Sequence, residues 1–183
     1  RTFANVFEAI SNGASDGMKV AINVTAMILA LVALVAFIDW ILGLGGMFCY
    51  NYVPGCSHLA FLSHLSLKLI LGKVFSIFAI IIGVPLHDAS TVGALMGTKL
   101  VLNEMVAYVD LTHVAQSLNP KSFMIASFAL CSFGNFGSIA IQIGGIGELA
   151  PNQKKNLARL GLRALICGTL SCYLSAAIVG VLL

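Results

Sequence analysis

Residues 121–147 read KSFMIASFALCSFGNFGSIAIQIGGIG, and this stretch decides the fold. It is long enough to cross a bilayer, because a spanning helix needs about 20 predominantly apolar residues. Its centre, Ser132–Ser138, nevertheless contains two Gly, one Asn and two Ser at mid-membrane depth. Backbone groups exposed there need polar partners that lipid does not offer. The pattern therefore predicts a broken transmembrane helix over residues 121–147, with the break within Phe133–Ser138 facing a polar cavity.

A second unusual segment precedes it. Residues 85–110 read PLHDASTVGALMGTKLVLNEMVAYVD, with two short apolar halves on either side of Gly97-Thr98. Neither half is long enough to cross a bilayer. The segment carries polar side chains that a lipid-facing helix does not tolerate: Asp88, Lys99, Asn103 and Glu104. Such a segment is typical of a re-entrant hairpin buried in protein, which we expect at residues 85–111.

The composition agrees with lipid as the solvent. Hydrophobic residues make up 59% of the 183 residues and charged residues only 9%, whereas soluble domains contain about 25% charged residues. The net charge of +3 is small and scattered, which argues against a nucleic-acid-binding protein. We therefore expect an all-α, polytopic membrane protein.

The remaining segments complete the predicted topology. Gly13 and Gly17 interrupt the first helical pattern, and Cys49 and Cys56 lie in a Gly- and Tyr-rich loop where a disulfide is one possibility and incidental thiols the other. Asp39 and Trp40 follow the first spanning stretch, and Trp is favoured at membrane interfaces. The predicted order is an amphipathic interfacial helix at 1–19, a transmembrane helix at 20–42, a loop and interfacial helix at 43–84, and a transmembrane helix at 156–183.

Glu104 is the most informative candidate for a functional residue. A carboxylate within the membrane costs at least about 2.5–3.5 kcal/mol on insertion scales, so it usually has a role in function. Asn103 beside it supplies a neutral donor and acceptor. The structural alternative is a carboxylate that pairs with Lys99 or caps a helix break.

Asn135, Ser138 and Phe133 are the candidates in the helix break. Asn135 and Ser138 are three residues apart, which places them on one face if helical geometry persists. Together with Glu104 they would suit a ligand rich in hydroxyl groups, and Phe133 would add an apolar surface for a ring. The alternative is hydrogen bonding between helices by small polar residues, which is common in membranes. A catalytic constellation does not stand out, so we expect no enzyme activity.

Three strings of the sequence resemble the concentrative nucleoside transporters. They are GTKLVLNEMVAY at Gly97–Tyr108, ALCSFGNFGSIAIQIGG at Ala129–Gly145 and LAPNQKKNLARLGLRALICGT at Leu149–Thr169. The opening stretch NVFEAISNGASDGMKVAINVTAM also looks like this family, so the resemblance covers nearly the whole chain. Gly134, where Ala is frequent, and Ser132, where Gly is frequent, are small departures.

The resemblance implies a homotrimeric symporter of nucleosides, coupled to Na⁺ or H⁺, of which this chain is the C-terminal half of an inverted repeat. Glu104, Phe133, Asn135 and Ser138 would contact the ribose. The hairpin that reads the nucleobase and the coupling-ion site would lie in the other half. Because the chain begins at Arg1 rather than Met, we expect it to be part of a longer protein and not to transport alone. No covalently bound cofactor is expected.

Two rival functions compete with transport. A structural or assembly subunit of a membrane complex would use the polar residues only to join helices, but this does not explain a polar break beside a membrane carboxylate. An intramembrane enzyme would need a second catalytic group near Glu104. The stretch from Ile141 to Leu165 looks bacterial, so we expect a bacterial inner membrane protein.

Overall fold

The computed structural model describes residues 5–52 and 65–183, and these form helices joined by short connections. The predicted all-α fold is confirmed, with apolar helices that match membrane spans. The helices are α1 Val6–Tyr52, α2 Leu67–Ile81, α3 Leu86–Val101, α4 Glu104–Val114, α5 Pro120–Leu130, α6 Phe136–Leu149 and α7 Lys154–Leu182. Two 3₁₀ turns, Ala115–Ser117 and Pro151–Gln153, precede α5 and α7.

The N-terminal part is one helix of 47 residues rather than two helices and a loop. The predicted boundary at Gly13 and Gly17 is wrong, because both glycines lie inside α1. A glycine within a helix costs only about 1 kcal/mol relative to Ala, which long apolar flanks can offset. An ion pair of 3.1 Å between Lys19 and Asp16 also spans Gly17.

The predicted loop at residues 43–66 is likewise helical as far as Tyr52. Cys49 therefore belongs to α1. Cys56 lies outside the described residues, so the possible disulfide between Cys49 and Cys56 is not tested by the structure. In the described part of the chain, α1 and the segment Pro151–Leu182 that contains α7 are long and apolar enough to cross a membrane.

Helices α2 and α3 pack antiparallel at very short distance. A Cβ added to Gly93 would lie 2.4 Å from the backbone nitrogen of Ser76, and one added to Gly97 would lie 2.8 Å from that of Gly72. Gly97 thus allows close helix approach instead of turning the chain, so the predicted division of the hairpin at Gly97-Thr98 is wrong. The location of α2 at a membrane interface stays a prediction.

The turn between α2 and α3 centres on Gly83, which has a φ of 101°. The Gly83 N–H donates to the carbonyl of Ile80, and the Val84 N–H donates to the carbonyl of Ala79. These two bonds form a Schellman motif, whose left-handed residue is usually Gly. Pro85 then starts α3, so this local sequence sets the sharp reversal that brings the hairpin back against α2.

Helices α3 and α4 form the re-entrant hairpin, with its turn at Leu102-Asn103. A small cavity between the two legs is lined from both sides, by Thr91 and Thr98 of α3 and by Asp110 of α4, so the legs run side by side. The open end is closed by the buried Asp88, whose carboxylate accepts a hydrogen bond of 3.1 Å from the Asn119 N–H.

Helices α5 and α6 are two parts of one interrupted helix that runs antiparallel along α7. Gly180 of α7 lies against Ile125 of α5, and Gly161 lies against Ile139 of α6. The break between them is Cys131–Asn135, two residues earlier than the start of the predicted Phe133–Ser138, because α5 ends at Leu130. It also ends earlier, since Phe136–Ser138 form the first turn of α6. The core of the fold lies where α2, α3, α5 and α7 meet, and its largest fully buried apolar side chains include Met96, Ile125 and Leu130.

Candidate functional site

The turn of the hairpin and the break in the α5–α6 helix meet through one side-chain hydrogen bond. The Nδ2 of Asn135 donates to Oε2 of Glu104 over 2.9 Å. Glu104 is half-buried, while Asn135 is only 4% exposed. The structure therefore brings together two candidates that are 31 positions apart in the sequence.

Asn135 is the N-cap of α6, which explains its orientation. Its Oδ1 accepts a hydrogen bond of 2.7 Å from the Ser138 N–H, and the Ser138 hydroxyl lies 3.1 Å from the same oxygen. The Ser138 hydroxyl also donates to the carbonyl oxygen of Phe133. Because the amide oxygen is used in capping, the amide nitrogen is fixed in the direction of Glu104.

Asn103 has the equivalent role at the start of α4. Its side-chain oxygen accepts a hydrogen bond of 2.9 Å from the Val106 N–H. The N-termini of α4 and α6 therefore both open at the site, each capped by an asparagine. Helix N-termini carry partial positive charge and favour a carboxylate such as that of Glu104.

A cavity of about 410 Å³ lies over this contact, within the usual size range of ligand pockets. We call it the tip cavity. It is lined by the hairpin turn, the helix break and an apolar side of α1, with Asn103, Glu104, Phe133, Asn135, Ser138, Leu31 and Val35 among the lining residues. All five candidates from the sequence thus line one cavity. Their roles in binding stay predictions.

The side chains differ in what they offer to a ligand. Within the described part of the chain, Oε1 of Glu104 has no hydrogen-bond donor, so the carboxylate retains accepting capacity. The side chain of Phe133 is 78% exposed and has a face free for contact. An acceptor beside an aromatic ring suits a ligand that has both hydroxyl groups and an apolar ring system.

A second cavity, of about 260 Å³, lies on the other side of the break, toward α7. Phe133, Asn135 and Ser138 line it as well, and Gln142 extends the polar surface along α6. Gln142 lines this second cavity and not the tip cavity.

Lys99 and Tyr108 are the residues whose positions sequence reasoning missed. Lys99 is not an ion-pair partner of Glu104, as one alternative proposed, but donates to Ser132 and to the carbonyl of Ala129. The Tyr108 hydroxyl donates to the carbonyl of Ser127 over 2.7 Å. For Lys99, the sequence did contain a signal: a lysine in an apolar helix must find buried hydrogen-bond partners.

A buried re-entrant hairpin whose turn meets a broken helix is the architecture of the core of a secondary membrane transporter. Residues 1–180 match the family described as "Na+ dependent nucleoside transporter C-terminus". The chain therefore belongs to this family, the concentrative nucleoside transporters, and is an integral membrane protein.

The chain is similar to named relatives over nearly its whole length. It is 48% identical over 177 residues to an uncharacterized transporter, YutK, of Bacillus subtilis, covering 97% of this chain and 41% of the relative. It is 40% identical over 181 residues to the nucleoside permease NupC of Helicobacter pylori, covering 96% of this chain and 41% of that protein. The chain thus spans less than half the length of these relatives.

The fold is also similar to that of a solved transporter. A variant of CNTnw in an outward-facing state superposes with a TM-score of 0.82 at 39% sequence identity. The match covers 98% of this chain and 44% of the CNTnw chain. The relatives are transporters, which supports a protein that is not an enzyme.

Proposed function

We propose that the protein containing this chain is a cation-coupled symporter of nucleosides, and that this chain supplies the half that binds the ribose. The observation that carries the proposal is the contact between Glu104 and Asn135 at the tip cavity. It places an anionic acceptor, held by a neutral amide, beside an exposed aromatic ring. The named relatives, among them a nucleoside permease, support nucleosides as the substrate class.

The two hydroxyl groups of a ribose match this carboxylate. Oε1 of Glu104 can accept a hydrogen bond from one hydroxyl, and the remaining lone pair of Oε2 can accept one from its neighbour. Hydrogen bonds to a charged acceptor are about twice as strong as those between neutral groups. Phe133 would contact the ring of the nucleoside, and Asn135 and Ser138 would keep the carboxylate and the break in place.

The coupling cation and the nucleobase would bind mainly to the other half of the protein. The family description names Na⁺, which favours Na⁺ over H⁺ as the coupling ion. We further propose a homotrimer, as the resemblance implies, and a location in the inner membrane of a bacterium, which the similarity to a permease of Helicobacter pylori supports.

Uptake by the full-length protein tests the function. We expect proteoliposomes of the full-length protein to accumulate radiolabelled uridine when an inward Na⁺ gradient is imposed, and to lose this accumulation when the gradient is collapsed. Accumulation that follows an inward proton gradient instead would assign H⁺ as the coupling ion. Proteoliposomes that accumulate no nucleoside with either gradient would contradict the proposal and favour a structural subunit.

Replacement of Phe133 by Ala should weaken nucleoside binding without unfolding the protein. The side chain is 78% exposed, so we expect the free energy of unfolding to change by less than ~0.5 kcal/mol. Loss of an aromatic contact should raise the Kd for uridine about two- to tenfold. The Kd for 2′,3′-dideoxyuridine should rise by the same factor, because the ring does not contact the hydroxyl groups.

Phe7→Ala is the matched control, since Phe7 is 82% exposed and lies at the start of α1, away from the tip cavity. Equilibrium binding to the purified full-length variants gives both constants. An unchanged Kd for uridine in Phe133→Ala would remove Phe133 from the proposed site.

A further inference from the structure

The helix break holds a buried cation that the proposed ribose contacts do not involve. Lys99, three residues before the hairpin turn, is the largest fully buried side chain among the described residues, with 1% exposed. A buried ammonium group is costly unless its hydrogen-bonding groups find partners. Lys99 must therefore contribute something that a smaller, apolar residue at this position would not.

The Nζ of Lys99 binds the end of α5. It donates to the carbonyl of Ala129 over 3.2 Å and to Oγ of Ser132 over 2.5 Å. It also lies 5.8 Å from the centre of the Tyr173 ring, close enough for a cation–π contact. The ammonium is thus placed at the α5 side of the break by groups from α5, the break and α7.

The last four carbonyls of α5 need partners from outside the helix, as at any helix end. The carbonyls of Phe128 and Leu130 accept from N–H groups of the break itself. The carbonyl of Ser127 accepts from Tyr108, and that of Ala129 accepts from Lys99. Both legs of the hairpin therefore bind the end of α5, and the Cys172 thiol of α7 also donates to the Phe128 and Ala129 carbonyls. Among the described residues that bind these carbonyls, Lys99 is the one that brings a positive charge to this negative end of the helix.

The same hairpin binds the other side of the break through Glu104 and Asn135. Lys99 of α3 thus contacts the end of α5. Glu104, five residues later at the start of α4, contacts the N-cap of α6. A displacement of Lys99 from Ala129 would move the turn relative to α6, and with it the carboxylate. Lys99 itself does not line the tip cavity, so a ligand there would not touch it.

We propose that Lys99 is a positioning residue: its ammonium is a fixed internal cation that binds the Ala129 carbonyl at the end of α5 and the Ser132 hydroxyl in the break, and so sets Glu104 at the distance from Asn135 that ribose binding requires. This inference deepens the proposed function and rests on it for its ligand. The contacts of the hairpin with the break do not depend on the ligand, so they provide a separate test.

The first measurement is hydrogen exchange in the full-length protein without ligand. In Lys99→Met, peptides covering the hairpin turn at 102–107 and the break at 131–135 should exchange at least about tenfold faster, because loss of a hydrogen bond to a charged group favours local opening by that factor. Lys73→Met is the matched control, since Lys73 is an exposed lysine on α2. Equal exchange of these peptides in Lys99→Met and wild type would overturn the proposal.

The second measurement is the KM for uridine and for 2′,3′-dideoxyuridine. If Lys99 acts through Glu104, Lys99→Met should raise the KM for uridine about tenfold and that for the dideoxy compound at most about threefold. An equal rise for both compounds would indicate a general structural role and overturn the proposal. Should Lys99→Met not be recovered from membranes, Lys99→Gln replaces it with the same expectations and the same contradicting results.

The two measurements separate the two proposals. If the wild type neither binds nor transports nucleosides, the proposed function fails and Lys99 loses its ribose-positioning role. The exchange experiment then still decides whether Lys99 holds the hairpin to the break.

Discussion

Glu104→Gln in the full-length transporter should lower its affinity for uridine about ten- to hundredfold, the effect of losing a hydrogen bond to a charged group, worth roughly 1.5–3 kcal/mol. The substitution keeps the shape of the side chain and one carbonyl oxygen, but it replaces an acceptor-only group with one that has two N–H donors. If the amide oxygen of the Gln keeps the hydrogen bond from Nδ2 of Asn135, its NH2 group faces the ribose hydroxyl groups in place of Oε1. The loss should therefore be similar for uridine and adenosine, which share the sugar.

The deoxygenated ligand makes this prediction specific. Wild type should bind 2′,3′-dideoxyuridine poorly, and Glu104→Gln should weaken this binding much less than that of uridine. Glu148→Gln is the control, because Glu148 lies at the far end of α6, 3.6 Å from Lys154. If Glu104→Gln weakened both ligands by the same factor, Glu104 would be a structural carboxylate that joins the hairpin to the break.

Gly93→Ala should have the largest effect on stability. The added Cβ would lie 2.4 Å from the nitrogen and 2.6 Å from the Cα of Ser76, both of them backbone atoms that cannot turn away. Helices α2 and α3 would have to separate, and such overpacking costs about 1–3 kcal/mol or more. At the upper value, the apparent melting temperature of the full-length protein should fall by about 3–6 °C, because the shift per kcal/mol decreases with chain length.

Gly45→Ala provides the comparison, because a Cβ added there meets no atom of the described residues within 4 Å apart from the adjoining backbone of α1. It should leave the melting temperature unchanged or raise it, since Ala is the better helix former. Thermal unfolding of the detergent-solubilised variants, followed by the loss of the monodisperse peak in size-exclusion chromatography, measures both. A melting temperature of Gly93→Ala within 2 °C of wild type would show that α2 and α3 do not depend on this close approach.

The broken helix and the hairpin could be predicted from the sequence because both segments contain polar residues that lipid cannot satisfy. Asn135 and Glu104 lie in stretches that are otherwise apolar, so each required a buried partner. The sequence pattern predicted that the break in residues 121–147 faces a polar cavity. The structure places a cavity there, but most of its lining is apolar, and its polar side chains are those of Asn103, Glu104, Asn135 and Ser138. The match of the fold to a solved transporter agrees with both features.

Glycines were poor indicators of helix ends in this sequence: some lie inside helices, and one forms a turn. Gly13 and Gly17 lie in the exposed, continuous helix α1, and Gly97 serves close packing against α2. Gly83, in contrast, is the one glycine with positive φ among the described residues. A single sequence does not distinguish these roles, because a helix tolerates glycine at a small cost whenever the flanking residues or a neighbouring helix favour it.

The contact partners within the site also lay beyond the sequence. The spacing of Asn135 and Ser138 suggested a shared helical face, whereas the structure shows a cap bonded to the first turn of α6. Lys99 was considered a partner of Glu104 because the two are close in sequence, yet the hairpin turn between them directs Lys99 to α5. Such choices depend on which helix ends have unpaired carbonyls, and this is fixed only by the tertiary packing.

The most direct test of the account is an experimental structure of the full-length protein with uridine bound, and the deciding distance is that between the Glu104 carboxylate and the ribose hydroxyl groups. We expect uridine to lie in the tip cavity with at least one hydroxyl oxygen about 2.5–3.0 Å from a carboxylate oxygen of Glu104. Uridine bound elsewhere, or bound in the cavity with its ribose turned away from Glu104 and toward α1, would contradict it.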